Sequence, residues 1–492
     1  MFMCVLTGLT PQNHLDVRPV SRFFSRHDRF LLMIPSGSNL QSANMTFASL
    51  QSRVKRGEID TVVVAFPDVF GRLVGKRFTA PFFLDQVAKG GTHGCNYLLT
   101  VDIEMEPMEG FQLANWEKGF GDFEMRPDLS TLRLIPWQPG AALVLCDLRD
   151  HHGHLVNEAP RSLLQNQAAA LAKKRLTCNI ASELEFFLYN TSYHEAFAAN
   201  YRNLPASSDY RIDYHTMQPA RDEALFRSIR QLMIEARVPI ESSKGEWGRG
   251  QHEVNFTYAE PIEMADMHVV FKQGVKELAA QHNKSVTFMA KPSMSEPGSS
   301  CHIHTSLWSA GKNLFWDGQR KTGSKLFRHF LGGLMKYSRE LCYFFAPTIN
   351  AYKRYQAGSW APTKLVWAHD NRTVGFRVVG HGNSFRVENR MPGADANPYL
   401  AFAATLVAGM AGIHEQLDCG ELYEGNAYVD EKLPALPESL QEATALLDSS
   451  KLARQTLGDA VVDYYVHTAR LEQKAWNNSV TDWEHQRYFE RI

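Results

Sequence analysis

The segment Ile180-Ala-Ser-Glu-Leu-Glu-Phe-Phe-Leu-Tyr189 limits the possible folds more than any other part of the chain. It reads as a strand buried in a sheet, yet it carries two glutamates two positions apart. Side chains alternate across a strand, so Glu183 and Glu185 lie side by side on one face. Two like charges on one face repel unless a cation sits between them. A solvated outer face would also relieve the repulsion, but the flanking Phe-Phe-Leu argues against exposure.

Three other segments carry related chemistry. Ser300-Cys-His-Ile-His-Thr-Ser-Leu307 places His302 and His304 on one face of a second strand, and imidazole is the commonest neutral metal ligand. Glu246-Trp-Gly-Arg-Gly-Gln-His-Glu253 sets two carboxylates either side of a Gly-rich bend that can return both to one point. Ser384-Phe-Arg-Val-Glu-Asn-Arg390 aligns Arg386, Glu388 and Arg390 on a single face. Taken alone, that last segment could equally be a surface salt-bridge ladder.

Carboxylates with one or two imidazoles and no thiolate suit Mg²⁺ or Mn²⁺ better than structural zinc. Arg354, Arg372 and Arg377 would complement an anionic substrate, since a guanidinium grips carboxylate or phosphate through two parallel hydrogen bonds. A Walker-type phosphate loop is absent from the sequence, which leaves phosphate to metal and arginines. Phosphoryl transfer from ATP to a carboxylate is the expected chemistry.

Bulk composition adds exclusions. The 492 residues hold 52 Lys+Arg against 53 Asp+Glu, without the basic excess that nucleic-acid binding normally needs. Seven scattered cysteines with no CxxC pair read as reduced thiols, and no run of about 18 uncharged apolar residues reads as a membrane span. A cytoplasmic protein without a nucleic-acid or membrane partner is expected. Residues 1–44 lack any helical or strand period and read as a poorly ordered extension, or as a start upstream of the natural initiator.

From Phe47 to Arg56 the spacing is helical, Thr61–Phe66 and Leu73–Phe78 read as a hairpin, and Tyr97–Ile103 and Ala142–Cys146 as further strands. Pro160 suits the first position of a helix over Arg161–Lys174. Helices are expected near 219–237, 262–283, 325–344, 397–417 and 460–474. The expected division is 45–150 and 151–492.

The motifs Ser182-Glu-Leu-Glu-Phe-Phe, Gly250-Gln-His-Glu, Lys291-Pro with Gly298-Ser-Ser-Cys-His-Ile-His, Asn350-Ala-Tyr-Lys-Arg354, Asn371-Arg372 and Asn397-Pro-Tyr-Leu400 resemble the glutamine synthetase superfamily in order and spacing, over roughly residues 45 to 492. That resemblance implies an α+β fold, with a small N-terminal β-grasp domain and a large C-terminal α/β catalytic domain. It implies a homo-oligomer, a dodecamer of two hexameric rings with active sites shared between subunits. Glu185, Glu246 and Glu253 match ligands of a first metal, and Glu183, His302 and Glu388 those of a second, with two or three ions per site. Gly298, Arg354 and Arg390 match glutamate-binding positions; His304, Ser306, Arg377 and Arg386 match ATP contacts, and Arg372 a catalytic phosphate contact. The implied reaction phosphorylates the γ-carboxylate of glutamate with ATP, and an amine then displaces phosphate.

Departures from the family pattern bear on that amine. In the flap Gly358-Ser-Trp-Ala-Pro362, Trp360 stands where glutamine synthetases carry a glutamate, with Ser359 beside it. His93 replaces an ammonium-site aspartate, and Asp122 alone keeps the acidic type. Lost carboxylates weaken attraction for a small cation, and an indole supplies apolar surface and a ring face. The expected nucleophile is therefore an organic monoamine, with Asp122 or His93 as the candidate base. Such an amine would be aromatic and aniline-type, or small and aliphatic, including hydroxyalkyl amines. The sequence looks closest to the γ-glutamylamide branch, which includes ligases for ethanolamine, alkylamines and aniline. The competing expectations are an ammonia-using glutamine synthetase, a γ-glutamylpolyamine synthetase and, with all six ligands present, least of all a non-catalytic relative.

Overall fold

The computed structural model describes residues 45–492. The expected extension 1–44 lies outside the described residues.

The first helix, Phe47–Lys55, is started by Thr46, whose side chain accepts the Ser49 N–H at 3.1 Å. The strands β1 (Thr61–Pro67), β2 (Leu73–Thr79), β3 (Thr92–Cys95), β4 (Asp122–Pro127), β5 (Arg133–Leu134) and β6 (Ala141–Arg149) then form a six-stranded sheet ordered β2-β1-β6-β4-β3, with β5 on β6. β1 and β6 run parallel, and the other pairs are antiparallel. Alternation along β1 sends Val62, Val64 and Phe66 into a core with Leu50 and Phe83, while Ala65 joins the main core.

Tyr97–Ile103 is not the strand its apolar run predicts. Asn96–Leu99 is a 3₁₀ turn, and Val101 makes only an isolated bridge to Pro107. The run is apolar because Leu99 and Val101 are buried, and the edge of the sheet is supplied instead by β3 and β4. β3, Thr-His-Gly-Cys, carries too little apolar alternation to be read from sequence, whereas β4 does alternate, burying Phe123, Met125 and Pro127.

A nine-stranded sheet follows, built from β7 (Thr177–Tyr189), β8 (Ile240–Gly245), β9 (Gln251–Phe256), β10 (Ser285–Thr287), β11 (Cys301–Ser309), β12 (Lys312–Asn313), β15 (Trp367–His369), β16 (Phe376–Val379) and β17 (Arg386–Asn389); β13 (Trp316–Asp317) and β14 (Thr322–Gly323) make a separate hairpin. Its order is β15-β16-β17-β11-β7-β9-β8, antiparallel except for β15–β16. Helices Pro160–Lys173, Glu223–Glu235, Pro261–Gln281 and Pro398–Glu415 pack around it. Three of these begin on a proline, whose missing N–H is an orphan at that position. The predicted helix 325–344 stops at Tyr337 and resumes as a 3₁₀ turn at Cys342–Phe344.

Arg161, buried on the helix Pro160–Lys173, ties the first sheet to the helices packed on the larger one. It donates to Asp128 (2.8 Å) and Asp147 beside the first sheet and to both carboxylate oxygens of Asp266 (3.1 Å each) on the helix Pro261–Gln281. Tyr399 donates a further hydrogen bond to Asp266 at 2.6 Å. The six cysteines among the described residues are free thiols. No helix among the described residues is long and apolar enough to cross a membrane.

Candidate active site

Antiparallel register lays the site out in rows on one face of the larger sheet. Arg377 of β16 pairs with Glu388 of β17, and Glu388 with His304 of β11. In the next row His302 pairs with Glu183 of β7. A third row runs from Glu185 of β7 to Glu253 of β9 and on to Lys244 of β8. The bend between β8 and β9 depends on Gly250, which has φ +72° and where a Cβ would fall 2.7 Å from the Leu188 carbonyl. That bend brings Glu246 back beside Glu253.

Two triads result, Glu185–Glu246–Glu253 and Glu183–His302–Glu388, and within each the potential ligand atoms lie within 4.8 Å of one another. The first is all carboxylate. Burial and the neighbouring Glu253 charge push Glu246 up to about 7, and burial followed by the charge of Glu246 raises Glu185. Glu253 is also raised, by burial and then by the Glu183 charge. Glu185 is oriented by the Ser300 N–H (2.9 Å), the Ser300 hydroxyl and the Gln251 amide (3.1 Å), and Glu253 by the Asn255 amide (2.8 Å).

The second triad is compensated internally. His302 Nδ1 lies 3.2 Å from Glu183 and 3.6 Å from Glu388, and His304 Nε2 lies 2.8 Å from Glu183. Burial works to raise Glu183, but the His304 and His302 rings reverse it and hold the carboxyl well below its usual range. Burial also acts against Glu388, but Arg390 and the imidazoles hold it down at about 2. Burial and Arg390 lower His302, which keeps its ring neutral and able to ligate.

Both triads fit divalent cations. Three carboxylates converging on one point, two buried and Glu246 half-buried, are a standing repulsion that a cation relieves, and oxygens with one neutral imidazole are a hard-to-borderline donor set.

The arginines expected from the sequence divide into two groups. Arg377 donates to Glu388 at 2.9 Å and also to Asp370, and Arg386 Nε donates to His304 Nδ1 at 3.0 Å. Arg390 donates to Glu388 and, at 3.2 Å, to the Trp360 carbonyl. Arg354 is buried and donates to the carbonyls of Met391 (2.9 Å) and Arg390 (3.1 Å). Gly298 sits against it: a Cβ there would fall 2.6 Å from Arg354 Cγ. Arg372 is exposed and makes no hydrogen bond or ion pair among the described residues. Ser306 accepts from the Trp308 indole at 2.8 Å.

Trp360 is half exposed and has φ +67°, an unusual backbone for a bulky residue. Ser359 closes that turn by donating to the carbonyls of Gln356 (2.6 Å) and Arg354 (3.1 Å). His93 and Asp122 lie on the exposed edge pair β3–β4 of the other sheet, and neither contacts a triad within the chain through a hydrogen bond or ion pair. Sequence reasoning missed three neighbours of the site. Lys244 pairs with Glu246 and lies 3.8 Å from Glu253; its place two residues before Glu246 was the available signal. Trp247 meets Trp360 edge-to-face, and Arg211 stacks on Trp247, contacts no local pattern announces.

This sheet, with its paired triads, is that of a metal-dependent ligase: residues 157–488 match the family described as glutamine synthetase, catalytic domain, and the chain belongs to the glutamine synthetase family. It is 47% identical over 444 residues to a γ-glutamylethanolamide synthetase of Streptomyces coelicolor, covering 90% of this chain and 95% of that one. It is 35% identical over 444 residues to a glutamate–isopropylamine ligase of a Pseudomonas species, covering 89% of this chain and 97% of the other. Among solved structures, a GmaS–ADP complex superposes with a TM-score of 0.78 at 28% identity, over 89% of this chain and 99% of that chain. The expected glutamine synthetase-like fold is the one found.

Proposed function

We propose that the protein is an ATP-dependent glutamate–monoamine ligase, which phosphorylates the γ-carboxylate of glutamate and lets an amine displace phosphate to give a γ-glutamylamide. The observation that carries this reading is the complete pair of triads combined with Trp360 in the flap, a position where the family resemblance implies an acid in ammonia-using enzymes. The names of the relatives, an ethanolamide synthetase and an isopropylamine ligase, support a small aliphatic amine alongside the aniline type.

In this reading Glu185, Glu246 and Glu253 hold one Mg²⁺ or Mn²⁺ ion and Glu183, His302 and Glu388 a second, two or three per site in all. Bound there, the ions supply neutralisation of phosphate charge. The chain's own groups do the rest. Arg377 and Arg386, held by Glu388 and His304, stand ready for phosphate oxygens with His304 and Ser306, and exposed Arg372 is free to meet the transferred phosphoryl group. Gly298, Arg354 and Arg390 frame glutamate, while Trp360 and Ser359 shape the amine end.

His93 or Asp122 accepts the amine proton. Their place on an exposed edge, away from both triads of their own chain, supports a role in a neighbouring subunit's site, and the family resemblance implies a dodecamer of two hexameric rings. Family membership supports the division at about residue 150 and a cytoplasmic location.

Phosphate release with ATP, Mg²⁺, glutamate and a panel of amines tests the reading. Release saturating with ammonium and indifferent to every organic amine would show a glutamine synthetase instead; preference for spermidine would show a polyamine ligase. Glu185→Ala removes a first-metal ligand and should abolish release with every amine; retained turnover refutes the metal assignment.

A further inference from the structure

We infer that Trp247 and Arg211 act with Trp360 as specificity-determining residues: the indole pair receives an uncharged organic group, and Arg211 bars any amine that carries a second positive charge. This inference rests on the proposed glutamate–monoamine ligation and deepens it by naming the substrate class.

The two indoles hang from the two halves of the site. Trp247 directly follows the first-triad residue Glu246, and its N–H lies 3.3 Å from the Glu246 carboxylate. Trp360 is tied through its carbonyl to Arg390, whose guanidinium holds the second-triad residue Glu388. Their ring centroids stand 6.2 Å apart at 84°, an edge-to-face contact. A bulky residue kept at φ +67° and half exposed is conformationally unfavourable, and backbone outliers of this kind gather at ligand sites.

Arg211 stacks on Trp247, its guanidinium carbon 4.0 Å from the ring centre. The segment that carries it is docked along the end of β8. Ile212 is fully buried, and a Cβ on Gly245 would fall 2.6 Å from its carbonyl. The Tyr214 N–H donates to the Gly245 carbonyl at 3.2 Å, and its ring lies 4.5 Å from the Lys244 ammonium. Residues 211, 212 and 214 thus fit residues 247, 245 and 244 in turn, which fixes Arg211 over the indole.

The chemistry follows from occupancy. An indole face attracts cations, but Arg211 already holds a face of Trp247, while Lys244 pairs with the neighbouring Glu246 and Arg390 donates to the Trp360 carbonyl. Glu246, whose carboxylate accepts the Trp247 backbone N–H, is already paired with Lys244 and assigned to the first metal. A second ammonium on the same molecule meets the guanidinium instead and is repelled, whereas an uncharged alkyl or aryl group packs on the indoles. Repulsion of the wrong partner is a common source of selectivity.

The test compares n-butylamine with 1,4-diaminobutane, equal in length and differing by one charge, in phosphate-release assays on the full chain. The wild type should favour butylamine by about tenfold or more in kcat/KM, and Arg211→Glu should shrink that ratio by about tenfold through the diamine KM. Trp247→Ala should raise the butylamine KM by about tenfold with kcat and the KM values for glutamate and ATP little changed, and Trp247→Phe should restore it. A ratio unmoved in both Arg211→Glu and Arg211→Ala, or a Trp247→Ala loss spread equally over all substrates, overturns the inference while leaving monoamine ligation standing. A wild type active with ammonium alone overturns the ligation reading and this inference with it.

Discussion

Glu185 stands directly opposite Glu253 across the β7–β9 ladder, with Glu246 close enough to both for one ion to touch all three. Like charges paired across a sheet are destabilising, so the metal-free fold carries this repulsion until a cation enters. Titrating chelated protein with Mn²⁺ should raise the thermal midpoint, the gain reaching about 2.7 kcal/mol at a hundred times the dissociation constant. Glu253→Gln should raise the midpoint of the chelated protein and diminish the response to metal. A midpoint indifferent to Mn²⁺ and Mg²⁺ would remove the triad as a cation site.

Trp360→Glu restores an acid to the flap and should shift preference from organic amines toward ammonium, lowering the ammonium KM by about tenfold. Initial rates with ammonium and ethanolamine check this. An unchanged preference would mean that the flap does not border the amine.

Arg161 lies buried among Asp128, Asp147 and Asp266 and links the first sheet to the helix Pro261–Gln281 packed on the larger one. Removing one member of a buried ion cluster strands the others, at a cost of about 3–5 kcal/mol. Arg161→Met should lower the thermal midpoint and expose that junction to proteolysis, whereas Asp128→Asn, at the more exposed end, should cost less. Equal stability of Arg161→Met and wild type would show that the cluster is not what ties the first sheet to that helix.

Lys272 and His268 on the helix Pro261–Gln281 contribute to the pH dependence of stability outside the metal site. Burial and the Lys276 charge push Lys272 down to about 8 from an ordinary 10.5, so from pH 8 to 10.5 the unfolded chain binds more protons and stability rises with pH. Burial holds His268 well below 6.5, so its contribution is complete above 6.5 and is lost as pH falls below that value. Thermal midpoints across pH, compared with Lys272→Met and His268→Asn, should show each slope flatten in its own variant. Slopes that persist in the variants would assign them to other groups.

The core of the site was legible because its grammar is local. Glu183 with Glu185, His302 with His304, and Arg386 with Glu388 share faces by the two-residue strand period alone, and the structure keeps each pair on a strand or at its end. Tyr97–Ile103 shows the limit: an apolar run fits a strand or a set of plugs equally well, and only the competition with β3 and β4 for the sheet edge decided between them.

By itself, then, the sequence determined which residues could act together within a strand, and the family pattern that orders those strands. Tertiary structure alone decided that Glu185 opposes Glu253, that Lys244 neutralises the row beside them, and that Trp247, Trp360 and Arg211 meet. The physical reason is range. Strand alternation is fixed by backbone geometry two residues at a time, whereas cross-strand register and loop docking come from packing between segments tens to hundreds of positions apart, and no local period encodes them.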